Sequence, residues 1–387
     1  MDTPKSESPR SDRSRGGIAA YVTSHGFGHL NRSVAALNLL PADVPLTIRC
    51  DPSLFAAWGE RLLRPAMLEP HVSDVGALNP PGDSAATDGP ATLAKAAEVH
   101  ARAMAEVDAE ARKLRDEGTA VVLCDATPVP LVAASRAGIP GFLLANFTWA
   151  DIYAPHARKL GPEARRTVSA IRAAYRHATA VFRAEPALRM AGVAPTIEVG
   201  MVVTPGIDRR AELRAFLGLS GRDRLVYFYV GRYGQSNLGW DRLAAMEGVH
   251  FVGFHPAPAG PLPNLHVVPA DGWTGADLAA SADAIVAKAG YGTACEAMAS
   301  RTPFLYPPRV GFAEHRALDR ALRAWGGAIP VPARDFEGLD LGRHLERAFE
   351  LRPGPPPFPA DGAERVAAHL LTAIGDRDGP TNRGTRP

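Results

Sequence analysis

Short apolar runs rich in β-branched and aromatic residues recur along the chain, separated by longer Ala, Leu and Arg segments of helical period. That alternation predicts βα units on parallel sheets, an α/β fold. Strands are expected at 18–23, 46–50, 120–124, 141–145, 180–183 and 197–203. A second series is expected at 225–230, 250–254, 265–268, 284–287 and 303–306. The intervening helices include 91–117, 161–178, 291–300, 314–324 and 361–374. Pro, Gly and charged residues crowd the stretch between the two series, which predicts a linker at 205–222 between two doubly wound domains, 18–204 and 223–350. The run RPGPPPFPADG at 352–362 cannot be helix, and the final helix in the segment 351–375 is expected to cross back onto the first domain. The polar ends, 1–17 and 376–387, have no apolar period and are expected to be disordered tails.

Composition narrows the function. With 387 residues, 46% hydrophobic and 22% charged, the chain has the length of two domains and too much apolar content for a disordered one. No window approaches the roughly 18 apolar residues of a membrane span, and the opening MDTPKSESPRSDRSRGG lacks a secretion signal's apolar stretch, so a soluble cytoplasmic protein is expected. Cys50, Cys124 and Cys295 form no CxxC pair, which argues against a disulfide framework or a cysteine zinc site; no metal is expected. The net charge of +2 excludes broad attraction to nucleic acid or acidic membrane, so an anionic partner has to be met locally. Lysine occurs only at positions 5, 95, 113, 159 and 288, which makes a lysine in an apolar segment stand out.

In open parallel sheets ligands bind beyond the carboxyl ends of the strands, so the turns there carry the chemistry. The first is Ser24 to Ser33, where Gly26 and Gly28 permit a tight turn and close backbone approach between His25 and His29. It is not the dinucleotide GxGxxG pattern, and a histidine pair there suits a general base better than a cofactor cradle. Both histidines could also bond backbone in a capped turn. The second is AIVAKAGYGTACE: Lys288 ends a strand, Gly290, Gly292 and Thr293 form the following turn, and Glu296 lies about one helical turn on. Backbone amides, a helix N-terminus and one ammonium at a single point fit a diphosphate, and a carboxylate there can accept two hydrogen bonds from a ribose diol.

These segments resemble the inverting glycosyltransferases built from two Rossmann-like domains facing a cleft, the GT-B fold. The likeness extends to antibiotic, plant and lipid II synthesising transferases, over about residues 18–350. The HGFGH turn together with Asn146, Phe147, Thr148 and Trp149 is similar to the glycosyltransferase-like amino-terminal half of plant arabinokinases. The resemblance implies that His29 deprotonates the acceptor, with His25 as the alternative base, and that Asp125 orients it; an Asx or helix cap is the plain role for Asp125. It implies that residues 288–293 hold the donor diphosphate and that Glu296 binds the ribose, although plant members carry histidine where this chain has Lys288. Glu314 would bond sugar hydroxyls with His315 near the phosphates, or both would simply open a helix. Arg232, after the first strand of the second domain, is a further diphosphate candidate. Asn146, Trp149 and Tyr153 fall on the expected acceptor side, and the polar loop 76–90 suits an acceptor lid.

The expected activity is transfer of a hexosyl or pentosyl unit, with inversion and without a metal or cofactor, from a nucleoside-diphosphate sugar to a hydroxyl or amine of a small molecule. The resemblance implies a UDP- or dTDP-linked donor. Retaining relatives carry two glutamates eight positions apart, and Glu296 meets Phe304 at that spacing. The rivals are a nucleotide-sugar 2-epimerase and a catalytically silent sugar-nucleotide-binding protein. The Walker pattern is absent.

Overall fold

The computed structural model describes residues 16–80, 87–229, 238–254 and 260–378. Its first sheet holds seven parallel strands: β1 (Gly17–Val22), β2 (Leu46–Cys50), β3 (Met67–Pro70), β4 (Thr119–Asp125), β5 (Gly141–Ala145), β6 (Ala180–Ala184) and β7 (Thr196–Gly200), in spatial order 3-2-1-4-5-6-7. The second holds six: β8 (Arg224–Tyr229), β9 (Val249–Gly253), β10 (Leu265–Val267), β11 (Ala284–Ala287), β12 (Phe304–Tyr306) and β13 (Ala328–Pro330), in order 10-9-8-11-12-13. Central strands such as TAVVLCD and GFLLA are buried at every position because helices cover both faces of a parallel sheet, hence their unbroken apolar runs.

Strands β3 and β13 have no counterpart in the expected series. Each is short, lies at a sheet edge and ends in proline, so it carries little of the apolar signal that marks a buried strand. The stretch expected as a linker contains a helix, Arg210–Leu217, and docks on the second domain: Ile207 N–H donates to Asp277 (2.9 Å) and Arg209 N–H to Ser281 (2.9 Å). Gly17, at the end of the expected first tail, pairs into β1. The final helix, Gly362–Asp378, continues past residue 376, where the second tail was expected to begin. It packs on β4, β7 and the helix Phe27–Leu37 of the first domain through buried Val366, Leu370 and Ile374. A turn of the Pro-rich run pins it, with Met201 N–H donating to Pro359 O (2.7 Å) and Gly362 N–H to Met201 O (3.0 Å).

In both sheets the strand order reverses beside the first strand, β1 against β4 and β8 against β11, which opens a crevice at the carboxyl ends. Val22 at the end of β1 pairs with Asp125 at the end of β4, and Tyr229 at the end of β8 pairs with Ala287 at the end of β11. The two crevices meet, since a Cβ added to Gly292 would lie 3.9 Å from Gly28 Cα. Phe312 and Ala313, from the loop after β12, are buried in the first domain's core.

Candidate active site

The first site element is the turn after β1. Gly26 caps the helix Phe27–Leu37 at φ 84°, a left-handed conformation that favours glycine. His29, Arg32 and Ser33 then stand at i, i+3 and i+4, one face of that helix, and all three reach Asp125. His29 Nδ1 lies 2.7 Å from Asp125 Oδ1. Arg32 donates from Nη2 to Oδ1 (2.5 Å) and from Nε to Oδ2 (3.0 Å), and Ser33 Oγ donates to Oδ2 (2.9 Å). Two lone pairs at 2.7 Å would repel, so Nδ1 carries the proton and donates it, leaving the Nε2 lone pair of His29 outward. Nε2 has no hydrogen-bond partner among the described residues.

Asp125 is fully buried. Burial alone would raise its pKa, but the Arg32 guanidinium, then His29, more than reverse this and hold it at about 2. Burial likewise opposes the charge on Arg32, which Asp125 outweighs, so the Arg32 pKa stays raised. Asp125 is thus an anchored anion rather than a helix cap.

Arg32 extends the network across the cleft. Its Nη1 donates to Asn146 Oδ1 (2.7 Å), and Asn146 Nδ2 donates to Glu314 Oε1 (2.7 Å), which fixes the amide's orientation. Arg32 also lies 5.0 Å from the ring centroid of Tyr291, whose hydroxyl accepts from Val202 N–H (2.9 Å). Asn146 and Glu314, expected at the acceptor and the donor sugar respectively, are therefore hydrogen-bonded to each other.

His25 is built differently. Its Nδ1 accepts the Ala77 N–H (3.2 Å), so Nε2 bears the hydrogen and is a donor. Burial, then His29, Arg309 and Lys288, lowers its pKa to about 3, which keeps the ring neutral. Gly76, at φ 72°, makes this fit possible, because a Cβ there would fall 2.5 Å from His25 Nδ1. Trp149 and Tyr153 are buried beside the histidines. Trp149 meets His25 edge-on at 5.1 Å and stacks on Tyr153 at 5.7 Å, and the Tyr153 hydroxyl donates to Gly76 O (2.6 Å). Residues 81–86 of the expected lid lie outside the described residues; its start, Gly76 to Leu78, is held by these bonds and by Leu78 N–H to Thr92 (3.0 Å). Near His29, Asp74 accepts from Thr23 (2.6 Å). Past Asp74, His71 and Val72 also line a pocket of about 300 Å³ beside the helix Gly89–Asp116, walled by Val107, Val129 and Pro130.

Across the cleft, Gly290 caps the helix Tyr291–Ser300, whose first amides have no side-chain partner among the described residues, and Gly290 N–H donates to Lys288 O (2.8 Å). Lys288 is half-buried, Gly292 is half-buried and Thr293 is buried. Glu296 is half-buried, and desolvation, then Asp277, pushes its pKa up to about 7. Its carboxylate has no hydrogen bond among the described residues, and Gly275 leaves space beside it: a Cβ there would be 3.6 Å from Glu296 Oε2. His315 has a buried Nδ1 without a hydrogen-bond partner. Arg232 lies outside the described residues.

No protein-family model matches the chain. An L-arabinokinase of Arabidopsis thaliana is 30% identical over 374 residues, covering 92% of this chain and 34% of that protein, so the chain spans about a third of the relative's length. The solved glycotransferase of kitacinnamycin matches with a TM-score of 0.61 at 17% identity, over 94% of this chain and 96% of that one. A UDP-glucosyltransferase from Polygonum tinctorium capable of glucosylating indoxyl matches at 0.61 and 13% identity, over 96% of each chain. The chain has the GT-B glycosyltransferase fold. Within that fold, sequence reasoning missed Arg32, Ser33, Asp74 and Arg309. Arg32 and Ser33 had a usable signal, since they follow His29 at helical spacing on a helix whose start the glycines mark. Asp74 and Arg309 sit in loops, where no period points to a shared site. No helix among the described residues is long and apolar enough to cross a membrane.

Proposed function

We propose that the chain moves a sugar, with inversion, from a nucleoside-diphosphate sugar to a hydroxyl or amine of a small-molecule acceptor. The observation that carries this reading is the 2.7 Å contact of His29 Nδ1 with fully buried Asp125 at the meeting of the two crevices. With Nδ1–H fixed, Nε2 takes the acceptor proton as the nucleophile attacks the anomeric carbon opposite the departing nucleoside diphosphate. The imidazolium that forms stays bonded to Asp125. His29 is the base in this reading rather than His25, because His25 Nδ1 is occupied by a backbone N–H and its Nε2 is already protonated.

On the donor side, Lys288 and the uncapped amides after Gly290, those of Gly292 and Thr293 among them, meet the charge growing on the diphosphate. Glu296 receives the ribose diol, Glu314 and His315 border the sugar, and no metal is required. The acceptor enters past Asp74 from the pocket beside the helix Gly89–Asp116, on the side of Trp149 and Tyr153. UDP is the donor to test first, since a neighbour named above is a UDP-glucosyltransferase, and dTDP follows from the family resemblance. None of the relatives described is named as an epimerase, and the intact His29 and Asp125 pair argues against a silent binder.

The test is an NMR assay of the chain with UDP-α-glucose or dTDP-α-glucose and a panel of phenolic and amine acceptors. A β-linked product formed by the wild type and not by His29→Ala is expected. An α-linked product would sink the inverting mechanism.

A further inference from the structure

The loop between β12 and the helix His315–Trp325 carries a cation that the network described above leaves unanswered. Only a tenth of the Arg309 side chain is exposed, and its guanidinium carbon sits 4.0 Å over the Phe312 ring. The nearest acid is Glu314, which bonds Asn146 through Oε1 and leaves Oε2 at 3.9 Å from Arg309 Nη1, too far for a hydrogen bond. Arg309 Nε is buried with no partner, and no hydrogen bond from the side chain to any described residue is formed. A desolvated guanidinium holding five donors in a rigid fork, with its plane fixed by an aromatic face, is arranged for an oxyanion. Its position agrees with this. Phe312 stacks on His25 at 6.1 Å, and the charges of both Arg309 and Lys288 act on that ring. Two cations from the ends of neighbouring strands β12 and β11 thus face the histidine turn.

We propose that Arg309 is an oxyanion-binding residue of the donor site, taking a phosphate of the nucleoside diphosphate together with Lys288. The proposal rests on the glycosyltransferase reading. A carboxylate on the donor sugar would present the same oxyanion chemistry from another source, so the test separates the two.

Calorimetric titration of the full chain uses UDP, UDP-glucose and UDP-glucuronate, with the dTDP series in parallel. Arg309→Gln is expected to weaken UDP and UDP-glucose by about ten- to hundred-fold, the range for a hydrogen bond to a charged group, and Arg309→Lys to recover part of it. A loss confined to the glucuronate places the sugar's carboxylate, rather than a phosphate, on Arg309 and overturns the assignment to a phosphate. Unchanged affinity for all three overturns the proposal while leaving the donor reading in place. A wild type that binds neither nucleotide series overturns both. Arg309→Gln paired with Glu314→Gln guards against a structural explanation. If Arg309 only neutralises Glu314, the double variant regains wild-type UDP affinity, and that result overturns the proposal too. Thermal unfolding of each variant confirms that the protein titrated is folded.

Discussion

Asp125 holds both Arg32 and His29 at once, and this separates the effects of changing it from those of changing His29. A general base contributes about 10²–10⁴-fold, so His29→Ala should lower turnover by that order while donor affinity stays nearly constant. Asp125→Asn should add nothing to the turnover loss of His29→Ala in the double variant, because no imidazole remains to be oriented. Stability should behave otherwise. The amide leaves Arg32, only 2% exposed, without its counter-charge, and breaking a buried pair costs about 3–5 kcal/mol. Thermal unfolding should therefore rank Asp125→Asn well below His29→Ala; equal melting temperatures would mean that Arg32 is not held by Asp125. Glu296 offers the pH test. Its pKa of about 7 is that of the unliganded site, and a ribose diol donates to both carboxylate oxygens only in the ionised form, so binding lowers that pKa. Nucleotide affinity should then be constant above pH 7 and fall below it, approaching tenfold per unit. Comparing UDP with its 2′,3′-dideoxy analogue removes the titration of the phosphates themselves, and the difference in slope should vanish in Glu296→Gln.

At the scale of elements, the strands that follow continuous apolar runs were legible in the sequence, because burial on both faces leaves no polar position to blur the signal. Strands β2, β5 and β11 and the helix Tyr291–Ser300 fall at the expected residues. Strands β3 and β13 were not legible, since MLEP and AIP are too short and too exposed for burial to shape them. The histidine turn and the Lys288 segment were legible because glycine, histidine and lysine are constrained there by backbone geometry and charge. What escaped was pairing between elements: that Asn146 would spend its amide on Arg32 and Glu314 is a property of tertiary approach, which no spacing encodes. Gly76 is a case where one backbone angle decides the role of a side chain elsewhere. At φ 72° and with His25 Nδ1 2.5 Å from where a Cβ would stand, Gly76→Ala has to displace the ring or the loop. The expected outcome is a loss of the Ala77 to His25 bond, read as a raised pKa of the His25 ring by NMR, from about 3 towards the ordinary histidine range. A His25 resonance that titrates as in the wild type would show that the loop absorbs the methyl group.

For the whole molecule, the question is how His29 and Asp125 on one domain connect to Glu314 and the Lys288 turn on the other. The contacts that join the domains include the returning helix Gly362–Asp378, the burial of Phe312 and Ala313, the Val202 to Tyr291 bond and the run from His29 and Asp125 through Arg32 and Asn146 to Glu314. The last reaches from His29 to Glu314. Asn146 is the only amide in that run, and it satisfies a cation on one side and a carboxylate on the other. Asn146→Ala removes both bonds and leaves buried groups unsatisfied, which costs about 1–3 kcal/mol per group. Asn146→Asp keeps the oxygen that accepts from Arg32 but turns the other face from donor to acceptor, opposing Glu314 at the distance where the wild type has a 2.7 Å bond. The aspartate variant should therefore be the less stable of the two, despite being the closer match in shape. Turnover should fall in both while UDP affinity, measured without a sugar, changes little, because Asn146 positions Arg32 and does not touch the nucleotide. If Asn146→Asp instead matches the wild type in melting temperature and turnover, Asn146 and Glu314 do not meet in solution, and coupling between the domains passes through their other contacts, among them the returning helix, Tyr291 and the buried Phe312.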